Sequence, residues 1–361
     1  MLIIILLISL SVFSFISIYN LFTAPVLNSK NKNYEPRGIV SVLIPARNEG
    51  KNIVKCIEGI INQDYQNAEI IILDDNSTDN TYNLAASFSS PKIKTLKGKA
   101  LPQNWLGKNW ACHQLAQHAK GDYLLFIDAD VEIKENVISL AMDEIEKSNA
   151  TLLSIFPTQS VKTFGEYLIV PLMNWLLLTF LPLNFVYKFS NKAIVAANGQ
   201  FMLWRKDDYL SLGGHQIVKD KIVEDMELAR IVKSNNLKVK TLLGGNQVFC
   251  RMYNSFDDAY FGFQKNFYSG FSISVIFFLI IISFLFCVFT IPFLVVDNRL
   301  ISWLPLLLLI LTRISVSISS KQSWIINLLL HPLQMIFMLL IGFISVIKFK
   351  NKSLVWKARN I

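Results

Sequence analysis

Three short acidic stretches each follow an apolar run: Pro45-Ala46-Arg47-Asn48-Glu49, Asp74-Asp75-Asn76-Ser77-Thr78-Asp79 and Asp128-Ala129-Asp130. Carboxylates gathered in one crevice repel one another unless a cation or a hydrogen-bonding ligand is bound among them. Asp128 and Asp130 are two apart, so one loop can turn both toward a single hard divalent ion. Mg²⁺ or Mn²⁺ suits such a pair, since either completes its shell with diphosphate oxygens. Asp79 reads instead as a helix N-cap. In Leu101-Pro102-Gln103-Asn104-Trp105-Leu106-Gly107-Lys108-Asn109-Trp110-Ala111, a lysine stands between two tryptophans at a helix start. That position suits an anion, and Lys108 is the candidate diphosphate contact. The alternative is a solvated lysine flanked by interfacial aromatics. Glu224-Asp225-Met226-Glu227 opens an amphipathic helix, where acids cap the first turn and offset the dipole. The cysteines Cys56, Cys112, Cys250 and Cys287 lie far apart without a CxxC, and the four histidines have no ligand spacing. Neither a disulfide framework nor a zinc site is expected.

Positioning such residues requires strands that end at one edge. Short β-branched runs alternate with helical stretches, which predicts an α/β domain with a parallel sheet and helices on both faces. The expected strands are Ile39–Pro45, Glu69–Leu73, Lys92–Leu96 and Tyr123–Ile127, with helices over Arg47–Gln63 and Asp79–Phe88. Tyr123–Ile127 is almost wholly apolar, as a central strand buried on both faces should be. Ligands bind such a sheet beyond the carboxyl ends of its strands, where the three acidic stretches fall.

The rest of the chain is not built for water. Of 361 residues, 52% are hydrophobic and 17% charged, with mean hydropathy +0.40, which excludes an ordinary soluble enzyme. Leu2–Leu21, Gly270–Val296 and Gln322–Ile347 carry no charged side chain and are long enough to cross about 30 Å of hydrocarbon. Leu300–Ser320 is a weaker candidate because it contains Arg313. The first segment lacks a basic leader and a clear cleavage site, so it reads as an uncleaved anchor rather than a signal peptide. Residues 165–188 are apolar but broken by Pro171 and Pro182, and are expected to form an interfacial or re-entrant helix pair. The organisation expected is an anchor over 1–27, a globular domain over 28–269, a membrane region over 270–347 and a basic tail over 348–361.

The net charge is +9, but residues 28–269 hold 27 basic against 25 acidic side chains. The excess flanks the apolar segments, above all Lys348, Lys350, Lys352, Lys357 and Arg359 in the tail. Such a cluster marks the cytoplasmic side and anionic lipid, and nucleic acid is rejected as a partner.

In order and spacing, PARNE, DDNSTDNT and DAD resemble the family 2 glycosyltransferases, whose fold is named GT-A, over about residues 40–270. LPQNWLGKNWA, Asn198-Gly199-Gln200, Gly213-Gly214-His215, Val223-Glu224-Asp225, Arg251-Met252-Tyr253 and Val355-Trp356-Lys357-Ala358-Arg359 further resemble a membrane-bound branch. That branch includes diaponeurosporenoate and hopene-associated glycosyltransferases, although Ala358 stands where glycine is usual. The resemblance implies a GT-A domain between N- and C-terminal transmembrane helices in the cell membrane, with the domain on the cytoplasmic side. It implies that Glu49 and Asp75, with Pro45 and Asp74 beside them, contact the nucleoside of a nucleotide-sugar donor. Asp128 would touch the ribose, Asp128 and Asp130 the metal, and Asp225, next to Glu224, would be the catalytic base. Arg251 and Lys265 are second candidates for stabilising the departing diphosphate. The implied reaction is inverting transfer, from a UDP-sugar, to a membrane lipid such as a carotenoid or other isoprenoid. A polyprenyl-phosphate acceptor would use the same donor residues. A processive polysaccharide synthase is disfavoured because Gln264-Lys265-Asn266-Phe267-Tyr268 lacks the Arg and Trp of the QxxRW motif.

Overall fold

A computed structural model describes residues 2–28, 38–351, 353–356 and 359–360. Lys352, Lys357 and Ala358 of the tail lie outside the described residues. The chain divides into two compact units, Pro25–Thr158 with Val186–Cys250, and Met1–Ala24 with Gln159–Phe185 and Arg251–Ile361. Residues 251–269, grouped with the globular domain by sequence, thus associate with the apolar helices.

The first unit is built on ten strands: β1 Val40–Ala46, β2 Ala68–Asp74, β3 Ile93–Lys97, β4 Tyr123–Ile127, β5 Val131–Ile133, β6 Leu152–Phe156, β7 Thr158–Gln159, β8 Phe201–Arg205, β9 Val239–Leu243 and β10 Val248–Cys250. Seven of them form one sheet in the order β3-β2-β1-β4-β8-β6-β9. All five residues of β4 are buried, each large apolar side chain contributing about 1.5–3 kcal/mol. β1 pairs in parallel with β2 and β4, and β2 with β3, so these carboxyl ends share one edge.

The expectation of a parallel sheet needs correction. β8 runs antiparallel to both β4 and β6, and the sheet is mixed. The reversal brings the start of β8 to the carboxyl end of β4, where the Asp128 amide donates to the Gln200 carbonyl at 3.1 Å. The first helix also differs, spanning Ile53–Ile61 rather than 47–63. Residues 47–50 are held away from helical geometry because they are hydrogen-bonded to the loop after β2, and Asn48 adopts a φ of 52°.

Among the described residues, the second unit contains four helices long and apolar enough to cross a membrane: Leu2–Thr23, Val275–Phe293, Leu300–Ser319 and His331–Lys350. Helix Leu2–Thr23 packs against Leu300–Ser319, where the Ser14 hydroxyl donates to the Leu308 carbonyl at 2.8 Å. The segment 165–188 forms helices Phe164–Ile169, Pro171–Phe180 and Phe185–Lys188. Val170 is itself helical, so Phe164–Phe180 runs on as one apolar helical stretch that rises about 26 Å, short of the ~30 Å of hydrocarbon. Asn20 fixes its end, donating to the carbonyls of Leu178 and Leu181 and accepting from the Leu183 amide.

Candidate functional site

The loops after β1 and β2 are stitched together before any ligand is considered. The Arg47 guanidinium donates to the carbonyls of Asp75 and Asn76 at 2.7 and 2.8 Å. The Asn48 amide donates to Ser77 Oγ, and Asn48 Oδ1 accepts from the Thr78 amide. Asp79 accepts from Thr81 with one oxygen and from the Gly50 amide with the other. Burial alone would raise its carboxyl pKa, but these bonds hold it below the usual carboxylate value. The N-cap of helix Thr81–Ala86 is Asn80 rather than Asp79; Asp79, one residue earlier, holds the first helical amide and ties in the first loop as well.

This frame holds Asp74 and Asp75 at 6% and 3% exposure, enclosed rather than solvated. Pro45 pairs with Leu73 across β1 and β2, and the Glu49 carboxylate accepts from the Asn52 side-chain amide at 2.8 Å.

The second half of the site centres on Lys108, at the second position of helix Gly107–His118. Its ammonium lies 2.9 Å from Asp128 Oδ2, 3.2 Å from Glu224 Oε1 and 3.3 Å from the Gly199 carbonyl. Neither a solvated lysine nor a lysine waiting only for phosphate describes this geometry. Burial works against the charge, yet Asp128 and Glu224 keep the Lys108 pKa well above the ordinary lysine value. The tryptophans pack beside it, Trp105 edge-on to Trp110 at 5.0 Å, and both rings contact His113, on which Trp110 stacks.

Asp225 opens helix Glu224–Ser234 beside this ion cluster. Its Oδ2 accepts from the Gly199 amide at 2.7 Å. Burial and the adjacent Glu224 carboxylate push the Asp225 carboxyl up to about 7, against the opposing pull of Lys108 and of the amides of Met226 and Gly199. A carboxyl poised there can accept a proton near neutral pH. In the first turn of the helix its Oδ1 accepts from the Met226 amide at 2.7 Å.

Two buried thiols mark the acidic turn after β4. Cys56 and Cys250 are pushed above the ordinary thiol value by burial and by the nearby Asp130 and Asp128. The hard carboxylates of Asp128 and Asp130 are the candidate donor set for a divalent ion. Among the described residues no group of three or more His, Cys, Asp or Glu is arranged to hold a metal by itself. Two carboxylates with diphosphate oxygens completing the shell fit Mg²⁺ or Mn²⁺, and Lys108 holds the place of a cation on Asp128.

Pro45, Glu49, Asp74, Asp75, Lys108, Asp128, Asp130, Glu224 and Asp225 all belong to the first unit. Arg251 and Lys265 do not. They belong to the second, where Arg251 Nη2 lies 2.7 Å from Oε1 of the fully buried Glu166.

Three positions carry weight that the sequence alone did not reveal. A Cβ on Gly199 would lie 3.0 Å from both Lys108 Nζ and Glu224 Oε1, so this residue is small because the ion cluster closes over it. Asn109, 1% exposed, donates to the carbonyls of Val218, Lys219 and Lys221 and fixes the loop leading to Asp225. His215 bonds Tyr209 through Nδ1 at 2.7 Å, and burial pushes its pKa down to about 3, so it packs as a neutral ring. The Gly213-Gly214 pair, with φ of 87° and 51°, allows that turn, and a Cβ on Gly214 would strike the Tyr209 ring.

The mixed sheet, with acidic loops at its carboxyl edge, is the GT-A architecture. A mannosyltransferase from Pyrobaculum calidifontis, solved in complex with GDP-mannose and Mn²⁺, matches it at a TM-score of 0.52 and 14% identity, covering 96% of this chain and 98% of that one. Residues 41–208 match the Glycosyl transferase family 2 profile, and the chain thus carries a glycosyltransferase domain of family 2. Among curated proteins, the 4,4'-diaponeurosporenoate glycosyltransferase of Staphylococcus aureus strain USA300 is 29% identical over 248 residues. The match takes in 68% of this chain and spans 64% of that relative's length.

Proposed function

We propose that the chain transfers a sugar from a nucleotide-diphospho-sugar, a UDP-sugar, to a lipid acceptor in the membrane, a carotenoid acid or other isoprenoid, in one inverting displacement. The observation that carries this reading is the convergence of Lys108, Asp128, Glu224 and Asp225 around Gly199 at the carboxyl edge of the sheet. It joins a cation for a leaving group to a base for an acceptor. The similarity to a glycosyltransferase named for a carotenoid acid supports the acceptor class. The four apolar helices support a membrane setting, with the domain on the cytoplasmic side of the cell membrane, where nucleotide sugars are made.

In this mechanism Glu49, Asp74 and Asp75, with Pro45 beside them, line the nucleoside end of the donor. Asp128 and Asp130 hold Mg²⁺ or Mn²⁺, which when bound supplies positive charge to the diphosphate. Lys108, already charged, turns from Asp128 to the departing diphosphate, a gain concentrated in the transition state. Glu224 keeps Lys108 protonated. With a hydroxyl acceptor Asp225 takes the proton; with a carboxylate acceptor no proton has to leave, and Asp225 orients the attacking group.

Membranes containing the full chain, incubated with labelled nucleotide sugars and extracted for mass spectrometry, test the reading. A hexosylated isoprenoid lipid made from a UDP-sugar is expected. A sugar found only on polyprenyl phosphate would move the acceptor class, and no lipid product from any donor would overturn the proposal.

A further inference from the structure

Helix Leu300–Ser319 carries Arg313 into the interior of the apolar unit, where the side chain is 1% exposed. A charge held away from water and within a membrane-length helix is costly, and such residues usually face a partner of opposite charge. Among the described residues no carboxylate pairs with Arg313. Its Nη2 donates instead to the Asn327 carbonyl at 3.1 Å and to Gln334 Oε1, both neutral.

The surroundings are polar by design of sequence rather than by accident of one residue. Gln334 Nε2 donates to the Tyr167 carbonyl at 2.7 Å, and Asn327 Nδ2 to Ser317 Oγ at 3.0 Å. Gln322 Oε1 accepts from Asn327 Nδ2 at 3.4 Å, which places Gln322 at the rim of the same cluster. Two buried side-chain atoms there have no hydrogen-bond partner, Arg313 Nε and Gln322 Nε2, and both are N–H donors. A cation with spare donors and no counter-charge lacks an oxyanion.

We propose that Arg313, with Gln322, Asn327 and Gln334, forms a site for the anionic head of a lipid, a carboxylate or a phosphate whose apolar tail lies among the helices. Arg313 supplies the charge, and Gln322 the further donor. The carbonyl of Asn327 and Oε1 of Gln334 hold the guanidinium in place when the site is empty. The site uses none of the residues assigned to sugar transfer, and its occupation can be measured without turnover.

The test uses the full chain in phosphatidylcholine nanodiscs, with the thermal unfolding midpoint titrated against oleate and against oleyl alcohol. A parallel set replaces part of the phosphatidylcholine by phosphatidylglycerol. Oleate, or phosphatidylglycerol if the natural head is a phosphate, should raise the midpoint of the wild type, and oleyl alcohol should not. Arg313→Gln should weaken the apparent affinity by ~10-fold or more, whereas Arg313→Lys should keep part of it. If Arg313→Gln does not fold, Gln322→Ala, which removes only the rim donor, should still weaken oleate or phosphatidylglycerol several-fold. Equal titrations of wild type and both variants, or an alcohol as effective as the acid, would overturn the proposal.

Discussion

At the scale of single residues, the proposed mechanism has one cation serve several anions in turn. Lys108 contacts Asp128 and Glu224 at once, so its loss removes one positive charge from beside two carboxylates. Lys108→Met is expected to lower turnover by about 10²-fold or more. Because the ammonium no longer competes for Asp128 Oδ2, Mn²⁺ should bind more tightly in the absence of donor. Manganese EPR titration beside a turnover assay checks both halves. Asp225→Asn should cut the rate by ~10²-fold or more with a hydroxyl acceptor while nucleotide affinity stays close to wild type. The sign of the pH effect follows from the raised carboxyl. Below about 7 Asp225 is increasingly protonated and cannot accept a proton, so the wild-type rate should fall as pH drops through that value. The Asn variant should lack this limb, and a pH–rate profile decides. The acidic stretches were legible because each residue stands directly after an apolar run. The Lys108–Glu224 contact was not, because 116 positions separate its members and nothing local in either segment encodes the meeting.

At the scale of elements, the strands were more legible than their directions. β1, β2, β3 and β4 fall within a residue or two of the expected segments, since runs such as Tyr123–Ile127 can only be buried on both faces. β8 went unrecognised. Phe201–Arg205 is a five-residue apolar run whose antiparallel pairing depends on partners far away in sequence. That strand begins two residues after Gly199, which stands at the ion cluster. The helix over 47–63 was overextended for a related reason, because residues 47–50 bond across to the second loop instead of up their own helix. Asn109 joins elements in the same way, through three carbonyls of the loop before Asp225. Asn109→Ala removes those donors and should cost about 1–3 kcal/mol of stability in the unit. It should also lower kcat more than it changes donor KM, since the base rather than the nucleotide loop is displaced. Thermal unfolding and steady-state kinetics of the full chain in detergent check the two effects.

At the scale of the whole molecule, composition marked the apolar ends, because the charge count over 28–269 is nearly balanced and the apolar segments flank it, but it missed that Gln159–Phe185 and residues 251–269 group with those ends. It did not fix how many helices cross. Arg313 made Leu300–Ser320 the weaker span by sequence, yet Leu300–Ser319 is a continuous helix that buries the arginine against neutral acceptors. The segment 322–347 is divided instead, into Trp324–Leu329 and His331–Lys350. The basic tail should remain on the side of the catalytic domain, which requires that one of the three C-terminal apolar helices not cross. Cysteines placed at Asn351 and Ser353 are expected to resist an impermeant thiol reagent in intact cells, and modification there would mean that all three cross. The central claim, that Asp128 and Asp130 hold a metal through which the donor is bound and its sugar transferred to lipid, has one direct measurement. Glycolipid formation from a labelled nucleotide sugar is followed in membranes carrying wild type or Asp130→Ala, with EDTA and after Mn²⁺ is restored. The account predicts product from wild type that EDTA abolishes and Mn²⁺ recovers, and none from Asp130→Ala in either condition. Full activity of Asp130→Ala in EDTA would contradict it.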